Sequence, residues 1–139
     1  MSKKILVVVL YMLGITAVVT GLLAVVGGPA ALLGGAAAVP SVDSQLRYAD
    51  VIWFGAGVVL LWSARKPLER AMATRVVLLI AAVAGIGRLI SLIEVGLPHP
   101  FYLVTMGLEL VVTPLIILWH SRVFRVEKVE QKSGAVAGG

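Results

Sequence analysis

Two ionisable residues stand inside apolar runs of this chain. Arg88 interrupts Ala81-Ala-Val-Ala-Gly-Ile-Gly-Arg-Leu-Ile-Ser91, and Glu109 interrupts a second run that begins at Phe101. The Pro98-His99 turn lies midway between them, so folding the segment as a helical hairpin brings the opposite charges to one depth. Ionisable residues inside a membrane span mark a functional site by default. Three chemistries follow, in order of expectation. The first is stapling, in which a buried ion pair fixes the register of two helices. The second is a cavity in which Arg88 receives an anionic or carbonyl-bearing ligand through its planar fork. The third is a proton relay through Glu109 or Asp50, which neighbouring arginines oppose by favouring the charged carboxylates.

The pair has company. Counting 1.5 Å per residue from the outer boundary puts Asp50, Arg88 and Glu109 roughly 10–15 Å deep, with Arg47 shallower. An isolated charge at such depth costs about 2.5–3.5 kcal/mol on insertion scales, so mutual pairing is expected. Arg47 with Asp50 would tie in the second span, and Asp43, Glu94 and His99 would ring the mouth of the layer. Together these seven residues form the candidate polar cluster or ligand site.

Other chemistries lack their residues. The chain has no cysteine, which removes disulfides, thiol relays, Cys-ligated zinc and iron–sulfur clusters. His99 and His120 fall at opposite ends of one span, each at an interface, so they do not match as axial haem ligands. No H-E-x-x-H set is present, and no Gly-x-Ser-x-Gly elbow, phosphate-binding loop or Ser-His-Asp set can be assembled. The expectation is therefore no catalytic residue, no metal, no cofactor and no enzymatic activity.

The elements that must position the cluster follow from composition. With 60% hydrophobic and 14% charged residues among 139, and a mean hydropathy of +1.03, a soluble domain is excluded. Stretches of about 20 apolar residues span hydrocarbon, and four occur: Ile5 to Val26, Ser44 to Ala64, Ala71 to Val95 and Phe101 to His120. This predicts an all-α integral membrane four-helix bundle over residues 1–125, followed by a disordered cytoplasmic tail over 126–139. Ten of the twelve basic residues fall before Ile5, between Arg65 and Arg75, or from Arg122 onward. Those segments share one side of a four-span chain, and the positive-inside rule makes it the cytoplasm, with both termini there. The charge of +5 thus reflects membrane topology and not nucleic-acid binding. The Ile5 to Val26 run exceeds the usual signal-peptide core, so cleavage is not expected.

Between the first two spans, Gly27 to Asp43 is too apolar for a solvated loop and too broken by Gly and Pro for a span. It is expected to form an interfacial cap, with Pro29 starting a short helix that ends at Gly34. Ser41-Val-Asp43-Ser44 carries a helix-start signal, Gly14, Ala17 and Gly21 form a small-residue stripe for close helix packing, and Pro114 predicts a kink. Trp53 inside the second span is expected to be packed, with a hydrogen-bond partner for its indole.

Val42-Asp-Ser-Gln-Leu-Arg-Tyr-Ala-Asp50, Gly85-Ile-Gly-Arg-Leu-Ile-Ser91, Gly96-Leu-Pro-His-Pro100 and Leu108-Glu109-Leu110 before Pro114 carry a family likeness. Over roughly residues 5 to 120 the chain resembles the small bacterial four-span membrane proteins grouped as domain of unknown function 4345. The resemblance implies a four-helix membrane bundle with recurring polar positions at Asp43, Arg47, Arg88 and Glu109, and it implies no activity or cofactor. The reading that results is a bacterial plasma-membrane accessory or ligand-binding component of a membrane assembly. Its expected partners are lipid and other membrane subunits or further copies of itself. The rival is a small transporter or lipid-handling protein with the Arg88–Glu109 layer as its substrate site.

Overall fold

Each uninterrupted apolar run becomes one helix. The structure, a computed structural model, describes residues 3–124. It contains α1 (Lys3–Gly27), α2 (Pro40–Ala64), α3 (Ala71–Val95) and α4 (Pro100–Phe124), each 25 residues long and apolar enough to cross a membrane. At 1.5 Å per residue each is about 37 Å long, more than a bilayer's hydrocarbon thickness. No strand occurs among the described residues. The expected tail over 126–139 lies outside them.

Proline and glycine set the helix ends. Pro40 and Pro100 occupy first-turn positions, where a missing N–H costs nothing. As a result α2 begins at Pro40, ahead of the expected start at Ser44, and Asp43 lies within its first turn without capping it. The expected helix from Pro29 to Gly34 is only a 3-10 turn, Pro29–Ala31. In α4 the α-helical stretch Pro100–Gly107 passes into a π turn, Leu108–Val112, just ahead of Pro114. Proline lacks an N–H and its ring crowds the carbonyl four residues back, so the wider turn relieves both problems at the place where a kink was expected.

The bundle has two unlike ends. At the base, where α1 begins and α4 finishes, Leu6, Leu10, Leu60, Ala64, Leu78, Ile116 and Phe124 from all four helices form the hydrophobic core. Thr74 Oγ1 donates to Ser63 Oγ at 2.9 Å inside it, and Ser63 Oγ donates to the Leu60 carbonyl. From the base α1 and α2 stay in contact along their length. Gly14 lies against Leu61 and Gly57, and Gly21 against Phe54, so the small-residue stripe of α1 packs on α2, as close helix approach requires. Trp53 Nε1 donates to Thr20 Oγ1 at 3.2 Å across the same interface.

Toward the opposite end, the mouth, α3 leaves the core. Its buried residues are Thr74, Leu78, Ala81 and Gly85, with none beyond, and the Pro100–Gly107 stretch of α4 buries none. The connection from α1 to α2 crosses this end as a strap. Gly34 rests on His99, so close that an added Cβ would stand 3.4 Å from the His99 Cβ.

Candidate functional site

Glu109 sits in the π turn of α4, where the shifted helical register carries its side chain toward α3. Gly85 makes room for it. A Cβ at Gly85 would stand 3.0 Å from the Cβ of Glu109, so the two helices meet closely one turn from the charge. Arg88, three residues further along α3, donates from Nε to Glu109 Oε2 at 2.9 Å. The two partners are unequally covered: the Glu109 side chain is 11% exposed and that of Arg88 42%. The bond is single and made from the Nε side of the guanidinium. Neither Nη of Arg88 has an acceptor among the described residues, and the guanidinium carbon lies 5.6 Å from the Tyr102 ring centroid.

Arg88 lines a cleft of about 390 Å³ at the mouth, within the range of small-molecule sites. Arg88 and Ser91 line it from α3, His99, Tyr102 and Met106 from α4 and its approach, and Leu32 to Gly35 from the strap. His99 caps α4, its Nδ1 accepting the N–H of Phe101 at 3.3 Å. With Nδ1 used as the acceptor, Nε2 is the ring nitrogen left to donate. Ser91 and Tyr102 stand outside the seven residues expected to form the cluster, and the connection expected as an interfacial cap supplies the strap side of the cleft. The three-residue spacing of Arg88 and Ser91, which puts them on one helix face, was the available signal for Ser91.

The second arginine does something else. Arg47 donates from Nε to Asp43 Oδ2 at 2.8 Å and from Nη2 to Oδ1 at 3.2 Å. Its Nη1 reaches the Val25 carbonyl and, at 3.2 Å, that of Val26. These are among the last carbonyls of α1, which have no partner within the helix and attract a cation. Gly28, at φ 64, lets the chain turn directly beneath this pair, since a Cβ there would run into Arg47 Nη2 and Asp43 Oδ1.

The expected tie between Arg47 and Asp50 is therefore absent, because Asp43 one turn earlier and the end of α1 take up the guanidinium. Arg47, Asp50, Arg88 and Glu109 do not form one connected layer: Arg47 pairs with Asp43 and Arg88 with Glu109, and Asp50 joins neither pair. Asp50 is half-buried with no hydrogen bond or ion pair among the described residues. Glu94 is exposed on α3 and, like Asp43, does not line the cleft. Only His99 of the expected ring does.

His120 also departs from expectation. It is fully buried at the base, with its ring 4.6 Å from that of Phe124, because α4 continues a turn past the expected end at His120. Neither of its ring nitrogens has a hydrogen-bond partner among the described residues, nor does the buried Nε of Arg75. No three His, Asp or Glu side chains among the described residues gather in a way that could hold a metal ion.

Compared with known proteins, residues 5–120 match the family described as a domain of unknown function, DUF4345. No curated relative and no solved structure matches the chain.

Proposed function

The chain belongs to the family of domain of unknown function 4345, and from its geometry we propose that it is a non-enzymatic, multi-pass plasma-membrane protein that binds the polar head of an amphiphile. The mouth faces outward, both termini lie in the cytoplasm, and the protein serves as a ligand-binding component of a bacterial membrane assembly. One observation carries the reading: Arg88 lines an open cleft and is anchored through Nε on Glu109, while neither Nη has an acceptor among the described residues. A staple needs only the covered carboxylate and its one bond, whereas the Arg88 side chain is 42% exposed and lines the cleft. The packed base supports holding a ligand over passing it through, since transport needs a path where Leu6, Leu10 and Phe124 fill the bundle.

Two measurements test the proposal. Single cysteines introduced by Ala36→Cys and Ser133→Cys report topology in intact cells, and a membrane-impermeant thiol reagent is expected to label the first alone. Labelling of the second alone contradicts the orientation. Arg88→Lys keeps the charge and loses the fork, so native mass spectrometry is expected to show less co-purified amphiphile on the variant at unchanged thermal stability. Identical adducts at equal stability contradict the binding role.

A further inference from the structure

We infer that the head held at Arg88 is uncharged and carbonyl-bearing, an ester or quinone carbonyl on an apolar tail, and not an anion. The inference rests on the binding role proposed for this cleft and concerns only what the cleft selects.

The half of the sequence that forms the mouth is short of positive charge. Arg47 and Arg88 stand there against Asp43, Asp50, Glu94 and Glu109, two basic residues to four acidic, a net −2. The other ten basic residues belong to the two ends of the chain and the 65–75 segment. Arg47 is committed to Asp43 and to the end of α1. Arg88 is balanced by Glu109 at 2.9 Å. His99 spends its Nδ1 on capping α4 and leaves one ring donor, at Nε2. An incoming anion would thus meet only a guanidinium already neutralised by the carboxylate behind it, with no surplus cation to hold it.

A cation fares no better. Among the described residues no carboxylate lines the cleft, and its one charged wall is Arg88. What the cleft does offer is donors: Nη1 and Nη2 of Arg88, Nε2–H of His99, and the hydroxyls of Ser91 and Tyr102. A carbonyl oxygen accepts from these without bringing charge, and so takes the place of the water that open donors otherwise hold. Leu33 and Met106 beside them suit the first carbons of an apolar tail, whose remainder stays among the lipids.

The test uses the full chain in detergent and four probes of matched tail length: a decyl-substituted benzoquinone, didecanoylglycerol, decanoate and decyltrimethylammonium. Dissociation constants come from native mass spectrometry, with thermal shift as a second readout. The expected ranking places a neutral carbonyl probe at least about tenfold tighter than either ion. The quinone and diacylglycerol arms decide which carbonyl source is preferred. Glu109→Gln removes the counter-charge and gives Arg88 a surplus, so decanoate is expected to gain about tenfold on the variant. Decanoate binding tightest to the wild type overturns the inference and leaves the binding role standing. An unchanged decanoate affinity on folded Glu109→Gln also overturns it, and if that variant fails to fold, the wild-type ranking decides. If no probe binds and Arg88→Lys changes no adduct, the binding role has failed as well.

Discussion

The base and the mouth are built by the same four helices from the same apolar alphabet, yet they solve opposite problems. At the base, side chains from every helix interlock, and the buried polar groups are mostly small hydroxyls satisfied by one another or by a backbone carbonyl. At the mouth the helices separate, and the polar groups are charged, long and only partly satisfied. Packing at one end holds the bundle so that the other can stay open. In a membrane, where helices gain little from leaving lipid and association rests on van der Waals fit and hydrogen bonds, that division lets a site form without weakening the fold.

The largest expected effect breaks the comparison from the base. Phe124→Ala removes a ring that is 2% exposed and is expected to cost about 3–5 kcal/mol, toward the lower figure where lipid replaces water as the alternative environment. Leu33→Ala, on the strap with half its surface open, is expected to change stability by no more than about 0.5 kcal/mol. Chemical unfolding in detergent measures both, and equal losses would erase the distinction between the ends.

Within the mouth, the ion pair is lopsided. Arg88→Leu strands a nearly covered carboxylate, whereas Glu109→Leu strands a guanidinium that water in the cleft can reach. Breaking a sealed pair costs about 3–5 kcal/mol. Arg88→Leu is expected near the bottom of that range and Glu109→Leu clearly below it, with the double variant recovering part of the sum. Strictly additive losses would show that the two residues do not couple.

Gly28→Ala comes next. It places a Cβ at a backbone conformation reserved for glycine and against the Asp43–Arg47 pair, at an expected cost of about 1–3 kcal/mol. A neutral result in thermal unfolding would mean that the cap on α1 contributes nothing. Arg47→Gln should destabilise in the same direction without altering ligand retention, which separates the structural arginine of the mouth from Arg88.

Run length and the turn at Pro98-His99 made the four helices and the meeting of Arg88 with Glu109 legible, because both follow from counting residues at a fixed rise. The partner of Arg47 was not legible. Backbone carbonyls at the end of α1 leave no side-chain signature, so counting charges offered Asp50 instead. Pro114 announced a kink but not that the adjustment would be a π turn seating Glu109. His120 looked interfacial because span length sets a helix end only to within a turn, and that turn decides between bulk solvent and the core. The strap over His99 depends on the left-handed turn at Gly34, φ 73, in a segment whose composition fits many paths.

The chain has no native cysteine, which allows the central claim to be tested by one pair of reactive sites. Ser91 lines the cleft beside Arg88, and Ser63 is fully buried at the base. In purified protein, Ser91→Cys is expected to react readily with a water-soluble maleimide and to slow when a carbonyl-bearing amphiphile is added, while Ser63→Cys stays unmodified until the protein unfolds. Equal reactivity at the two positions, or a rate at Ser91→Cys that no amphiphile changes, would contradict an open, ligand-holding mouth on a sealed base.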